Sequence, residues 1–206
     1  MVELLVAMTV MLILMAVAAS LFARSLSVRA RESRTTDALT SAYAALNLMS
    51  REISNGGFGL RDAATRRATN GIVVGDSSQQ QIHLRSNFTN VTPYTDPNFG
   101  QTSDPGEDVT YFFESGTQSI VRFDPNADPQ VSVVVNKISG VRFDYYNYDV
   151  AAGMTGPFTT PTSATGRIVL TVRVDLDPVY GQPNPQSITF SSEVNMRNSS
   201  YMLQQY

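Results

Sequence analysis

An apolar run lies near the start of the chain, from Leu4 to Ala23, and its only polar residues are Thr9 and Ser20. A helix of about 20 residues rises by roughly 30 Å, which equals the hydrocarbon thickness of a bilayer. A cleaved signal peptide would need a basic segment before a shorter run, and no basic residue precedes this one. A core helix would show a polar face, which the run lacks. The pattern therefore predicts a transmembrane helix.

The helical pattern continues beyond the membrane-spanning run. Apolar residues recur three or four positions apart, which is typical of one buried face of a helix; they are Leu39, Ala42, Tyr43, Leu46, Met49 and Ile53. The sequence Asn55-Gly56-Gly57, with Arg51 in the last turn before it, predicts the end of this helix. We therefore expect one continuous helix to about residue 54, roughly 80 Å long, whose second half packs on a sheet while the first half protrudes.

Strand-like patterns replace helical ones after Gly57. Runs of β-branched and aromatic residues, separated by Gly, Pro, Asn and Asp, predict strands at residues 72–75, 81–85, 109–114, 119–124, 131–138, 141–148, 167–176 and 187–196. In residues 167–176 apolar and polar positions alternate, as in a half-buried antiparallel strand. Ser139-Gly140 predicts a tight hairpin. Residues 86–108 and 151–166 are rich in Thr, Pro, Gly and Asn and predict long surface loops.

These elements predict an α+β fold in which a long N-terminal helix packs on an antiparallel β-sheet head. A chain of 206 residues has room for one ordinary domain and an extension. We expect residues 1–30 to form the transmembrane or filament-core helix. Residues 31–206 should form the head, with the amphipathic helix to about residue 54 and a β-rich remainder.

Charge and composition exclude several functional classes. The formal net charge is −3, whereas a nucleic-acid-binding protein would carry a basic patch or stripe, so no nucleic-acid partner is expected. The chain has no cysteine, which excludes disulfides, thiolate metal sites and a cysteine nucleophile.

The sequence predicts no catalytic residue, no metal site and no cofactor. His83 is the sole histidine and is expected to face solvent from a strand, and no common catalytic or phosphate-binding motif is present. Two acidic clusters, at residues 104–108 and 124–128, could hold Ca²⁺ through loop oxygens or could simply form turns. The aromatic run at residues 143–148 could be a binding platform, but alternation in a strand would place half of it in the core.

The opening residues Val2-Glu3-Leu4-Leu5-Val6-Ala7-Met8 resemble the class III signal of type IV prepilins. In such an apolar run a glutamate is costly in lipid and is rarely kept without a role. The remainder is similar to the PilW branch of minor pilins, in Asn55-Gly56-Gly57-Phe58-Gly59, Val109-Thr110-Tyr111-Phe112, Val141-Arg142-Phe143-Asp144-Tyr145 and Glu193-Val194-Asn195-Met196-Arg197-Asn198.

The sequence departs from the family at its first residue. Met1 stands where the family has leucine, so the basic leader, the processing glycine, the methylated phenylalanine and the threonine do not appear. Arg24, Arg29, Arg31 and Arg34 follow the apolar run on the side of the head, which the positive-inside rule does not favour for an exported head. We expect a leader encoded upstream, with a leucine codon taken as the start, because a basic leader would remove this conflict.

The resemblance implies a minor pilin that primes or joins type IV pilus assembly. Its helix would contact major and minor pilins, and a prepilin peptidase would process a precursor that carries the leader. The protein would first lie in the inner membrane with its head in the periplasm, and then in the extracellular pilus of a Gram-negative bacterium. Glu3 would pair with the free N-terminal amine of a neighbouring subunit; from its position alone, it could equally be a carboxylate at the membrane interface.

Two alternatives to a minor pilin remain open from the sequence. One is a minor pseudopilin of a type II secretion system, which has a similar architecture. The other is a tip adhesin that binds a surface ligand through loops 86–108 and 151–166. An anchored enzyme is disfavoured because no catalytic motif accompanies the single histidine.

Overall fold

The computed structural model of the protein describes residues 2–62, 65, 67–89, 100–149, 151–176 and 186–203. One helix, α1, runs without interruption over Val2–Asn55. Eight strands follow within these described residues, and a 3₁₀ turn at Val74–Asp76 precedes the first of them. The strands are β1 Gln81–Arg85, β2 Asp108–Glu114, β3 Ser119–Phe123, β4 Val131–Val135, β5 Gly140–Asp149, β6 Gly153–Phe158, β7 Thr165–Leu176 and β8 Gln186–Asn195, and a short helix, α2, follows at Ser200–Leu203.

The strands form two antiparallel sheets of four strands each. The first sheet has the order β1-β2-β3-β4, and the second has the order β6-β5-β7-β8. The predicted α+β fold, with one long N-terminal helix packed on antiparallel sheet, is confirmed. The division into two sheets was not predicted, because alternation within a strand shows which face is buried but not which sheet the strand joins.

The core lies between the two sheets and the second half of α1. The helix packs mainly on β7 and β8 and also approaches β4. Its buried residues are Ala42, Ala45, Leu46, Met49 and Ile53. The predicted buried face is therefore correct at Ala42, Leu46, Met49 and Ile53, and Leu39 packs against its edge. Tyr43 was expected on this face but is 53% exposed, because it lies at the rim, where its ring contacts Phe190 at a centroid distance of 5.5 Å.

Three local predictions of strand structure were wrong. Residues 72–75 form no strand, since Ile72 makes one isolated bridge and the 3₁₀ turn begins at Val74. Ser139-Gly140 makes no hairpin: Lys137 has a left-handed backbone, with φ of 59°, Ile138 is buried, and the chain passes from the first sheet to the second. The predicted loop at residues 151–166 contains β6, which pairs with β5.

The predicted end of α1 at Asn55-Gly56-Gly57 is confirmed, and two distant segments hold it in place. The Gly57 N–H donates to the Arg85 carbonyl oxygen at 2.8 Å. Gly57 has φ of +77°, and a β-carbon there would lie 1.9 Å from the Thr69 carbonyl oxygen, so only glycine fits. From the C-terminal segment, the Arg197 N–H donates to the Ser54 carbonyl oxygen at 3.1 Å, and the Asn198 amide donates to that of Gly56 at 3.1 Å. The carbonyl groups of Ser54, in the last turn of the helix, and of Gly56, just after it, are thereby satisfied.

Candidate functional site

The first half of α1, residues 2–30, stands clear of the head, and we call it the stalk. Within the stalk every described residue except Ser27 is exposed. The first helix residue buried in the core is Ala42. The exposed large apolar side chains of the stalk belong to Val2, Leu4, Leu5, Val6, Met8, Val10, Met11, Leu12, Ile13, Leu14, Met15, Val17, Leu21, Phe22, Leu26 and Val28.

This exposed apolar surface is suited to a nonaqueous environment. Contiguous apolar patches of more than a few hundred Å² are rare on soluble monomers and mark contacts with a membrane or another protein. The helix is long and apolar enough to cross a membrane, and none of its most apolar segment is buried within the protein. The stalk is therefore compatible with membrane anchoring.

The hydroxyl groups of the stalk are satisfied within the helix itself. Thr9 donates to the Val6 carbonyl oxygen at 2.8 Å, and Ser20 donates to that of Val17 at 2.8 Å. Such back-bonding leaves no hydroxyl proton that needs water. Both residues can therefore lie among lipid tails or apolar side chains at little cost.

Glu3, the predicted assembly residue, lies in the first turn of α1 and is exposed. The partial positive charge of a helix N-terminus favours a carboxylate there. The head begins at residue 31, about 42 Å along the helix from Glu3, so the described residues of the head do not reach the carboxylate. Any ionic partner of Glu3 must come from the chain terminus beside it or from another molecule.

A cluster of charged and hydroxyl groups fixes the second half of α1 to the first sheet. The Tyr111 hydroxyl donates to Glu52 Oε2 at 2.7 Å, and Arg122 Nε donates to the same oxygen at 3.2 Å. Arg122 Nη1 also contacts Asp124 Oδ2 at 3.2 Å. Burial, followed by the negative charge of Glu52, raises the pKa of Tyr111 well above its usual range, so its hydroxyl remains a donor. The first sheet thus holds the helix near its end.

Sequence reasoning missed this cluster. Glu52 lies 59 residues from Tyr111 and 70 residues from Arg122 in the chain. The available signal was the position of Glu52 beside Ile53, on the edge of the predicted buried face, where a carboxylate needs a partner.

The prediction that His83 faces solvent was wrong. Its side chain is 12% exposed and lies between two carboxylates, with Nε2 at 2.5 Å from Asp108 and Nδ1 at 3.2 Å from Asp76. Arg85 Nε also contacts Asp108, at 3.0 Å. The group ties the 3₁₀ turn to β1 and β2. The hydroxyl of Ser77 accepts a hydrogen bond from the backbone N–H of His83. Among the described residues, no hydroxyl group donates to the imidazole ring of His83, so the ring activates no nucleophile among them.

The acidic clusters at residues 104–108 and 124–128 hold turns together. Glu107 is buried and accepts hydrogen bonds from the backbone N–H groups of Phe88 and Asp104, at 2.7 and 3.1 Å. Burial by itself would raise the pKa of Glu107, but these bonds, with those from Thr89, lower it below its usual range. Asp124 accepts from the Gly106 N–H at 2.7 Å. The described residues include no group of three or more His, Cys, Asp or Glu side chains that could hold a metal ion.

The structure describes the two predicted recognition loops, residues 86–108 and 151–166, to different extents. Of residues 86–108, positions 90–99 lie outside the described residues, and the remainder is organised around Glu107. Residues 151–166 include β6, as stated above.

The aromatic run at residues 143–148 is divided between two surfaces, since Phe143 and Tyr145 are fully buried while the Tyr146 ring lies 4.5 Å from the guanidinium carbon of Arg167.

Comparison with known proteins assigns no family or function to the chain. No family model, no curated protein and no solved structure matches the chain. The function must therefore be argued from the stalk, from Glu3 and from the way in which the head holds α1.

Proposed function

We propose that the protein is a filament subunit of the type IV pilin kind, most simply a minor pilin that is stored in the inner membrane and then joins or primes a pilus. The observation that carries this proposal is the stalk: one helix is exposed and largely apolar over its first half and packed in the head over its second half. Its first half needs cover from outside the molecule, and the head is left free on the other side.

The apolar surface of the stalk supplies the driving force for both states. Sixteen large apolar side chains are exposed along it. Full burial of each is worth about 2 kcal/mol, so their cover is worth tens of kcal/mol in total. Lipid provides that cover before assembly, and the stalks of neighbouring subunits provide it in the filament. A subunit can move from one environment to the other because neither requires the stalk to expose apolar surface to water.

Glu3 supplies the specificity that apolar contacts lack. In the membrane its carboxylate lies near the end of the apolar run, within reach of interfacial water. Among packed apolar stalks an ionised carboxylate is tolerated only with a cationic partner. The described residues of the head begin about 42 Å away along the helix, so we place that partner on a neighbouring subunit. The free N-terminal amine of a processed pilin is the group we assign, and the pair would set the axial register of the subunits.

The test is Glu3→Leu in the protein expressed behind a prepilin leader peptide. Insertion does not need the carboxylate, so the variant should reach the membrane fraction at wild-type levels. Loss of the carboxylate leaves the amine of the neighbour unpaired, which costs several kcal/mol at docking and corresponds to at least a hundred-fold weaker incorporation. We expect the variant to be strongly depleted from sheared filaments, as measured by quantitative immunoblotting against the membrane fraction.

Glu32→Leu is the matched control, because Glu32 is an exposed glutamate of the same helix that lies outside the apolar run. It should enter filaments like the wild type. Wild-type amounts of Glu3→Leu protein in purified filaments would refute the pairing role and leave Glu3 as an interfacial residue. Recovery of the wild-type chain only with secretion-system components, and never in sheared pili, would favour the pseudopilin alternative.

A further inference from the structure

The stalk ends in a basic segment that the proposed function leaves unexplained. No acidic residue occurs between Glu3 and Glu32, whereas Arg24 and Arg29 follow the apolar run directly, and Arg31 comes next. Arg24 and Arg29 are exposed, with exposed Leu26 and Val28 between them. A helix that alternates arginine with apolar residues just beyond a membrane-spanning run is typical of the water–lipid interface.

The length of the apolar run places these two arginines in one particular layer. If residues 4–23 fill the hydrocarbon core, Arg24 lies at its boundary, and Arg29 lies about 9 Å beyond Ala23. The headgroup region on each side of a bilayer is roughly 5 to 8 Å thick. A flexible arginine side chain can therefore reach the phosphate level from either position. Arg34 lies about 17 Å beyond Ala23 and so is above this layer.

We propose that Arg24 and Arg29 bind the phosphate groups of anionic phospholipids in the leaflet that faces the head. We call these two residues the arginine belt. A guanidinium group matches phosphate oxygens in a bidentate manner. Each arginine near an anionic membrane surface contributes roughly a five-fold preference for that surface. This inference rests on the proposed membrane anchoring of the stalk and adds the lipid class that the stalk selects.

Charge complementarity favours anionic lipid over a zwitterionic bilayer. The chain as a whole carries a formal net charge of −3 even with these arginines included, so the rest of the chain is more acidic still. An anionic membrane would repel the head without a local basic segment. The arginine belt offsets this repulsion at the level where the chain leaves the lipid, and it holds the helix at a fixed depth.

The experiment uses the full chain reconstituted in vesicles at low salt, with spin-labelled phosphatidylglycerol or spin-labelled phosphatidylcholine as the probe. Electron spin resonance measures how much of each labelled lipid is immobilised by the protein. We expect the wild type to prefer phosphatidylglycerol about five-fold or more, and the preference to fall in high salt. The double variant R24Q/R29Q should lose the preference, whereas R24K/R29K, which keeps both charges, should retain most of it.

The matched control is R67Q/R197Q, which removes two exposed arginines from the head and should keep the wild-type preference. Immobilised lipid without a preference for phosphatidylglycerol, or a preference that R24Q/R29Q leaves unchanged, would overturn the arginine belt while leaving the anchor intact. The first of these results would assign the arginines to acidic groups of neighbouring subunits instead. If no variant and no wild-type protein immobilises lipid, the anchoring itself is refuted, and the inference falls with it.

Discussion

The packing of α1 on the head can be tested at Leu46, which is 3% exposed and belongs to the hydrophobic core. The change is Leu46→Asp in a soluble fragment of residues 31–206, which lacks the stalk and retains every buried residue of the helix. Deleting a buried leucine side chain costs about 2 to 5 kcal/mol. An aspartate in its place adds the cost of an unpaired buried carboxylate, which is several kcal/mol more.

The two costs of Leu46→Asp together are comparable with the whole free energy of unfolding of an ordinary domain, which is about 5 to 15 kcal/mol. We therefore expect Leu46→Asp to unfold the fragment at room temperature or to remove most of its stability. Leu46→Ala, which introduces no charge, should fold and melt roughly 4 to 20 °C below the wild type, given a cost of about 2 to 5 kcal/mol and a shift of about 2 to 4 °C for each kcal/mol. Circular dichroism in the far and near ultraviolet, followed through thermal melting, measures both effects.

Asn47→Asp is the matched control, because it introduces the same carboxylate one position along the helix at an exposed residue. Its melting temperature should stay close to that of the wild type. If Leu46→Asp melts at the same temperature as Asn47→Asp, the helix face is not buried at Leu46, and the packing of α1 described above is refuted. An insoluble wild-type fragment would instead contradict the expectation that residues 31–206 form one autonomous core.

Two further predictions concern groups that sequence reasoning did not identify. Tyr111→Phe should destabilise the head by about 1 to 3 kcal/mol, because it removes the hydroxyl that donates to the Glu52 carboxylate. Tyr43→Phe is the control at an exposed tyrosine, and it should change the midpoint of urea denaturation little. Equal shifts of the midpoint for the two variants would contradict the role of the buried hydroxyl. The native fold lowers the pKa of Glu107 below its usual 4.5. The ionised carboxylate therefore contributes to the free energy of unfolding above pH 4.5, and this contribution is lost as the pH falls through the pKa of Glu107 in the folded protein. Glu107→Gln should therefore lower stability at neutral pH and flatten the loss of stability in acid, whereas Glu114→Gln, at an exposed strand end, should leave the acid limb of the pH profile unchanged.

The helix was predictable from sequence because its signals are local. An uninterrupted apolar run, a regular spacing of apolar residues and a pair of glycines at the end determine its extent, and the observed end at Asn55 differs from the expected one by a single residue. The position of Glu3 at the tip of the stalk follows from that extent. The partner of Glu3 stays a prediction, since it lies outside the single chain.

The arrangement of the strands was less predictable because pairing is a long-range property. β6 has the sequence Gly-Met-Thr-Gly-Pro-Phe, whose glycines and proline indicate a loop, and it is a strand only because β5 supplies its hydrogen bonds. The step from β4 to β5 resembles a hairpin locally, but burial of Ile138 directs the chain to the other sheet. His83 was misplaced for the same reason, since the carboxylates that cover it belong to different segments of the chain.

The closure of the helix end by the last residues of the chain imposes an order on biosynthesis. The bonds from Arg197 and Asn198 to Ser54 and Gly56 join segments about 140 residues apart. Contacts of such high sequence separation form late, whereas a helix forms from neighbouring residues within microseconds. While the chain is synthesised, α1 can form long before the head is complete. The head can close around the end of the helix only after residues 197 and 198 have been synthesised, so the long helix forms first and its attachment to the rest of the head is completed last.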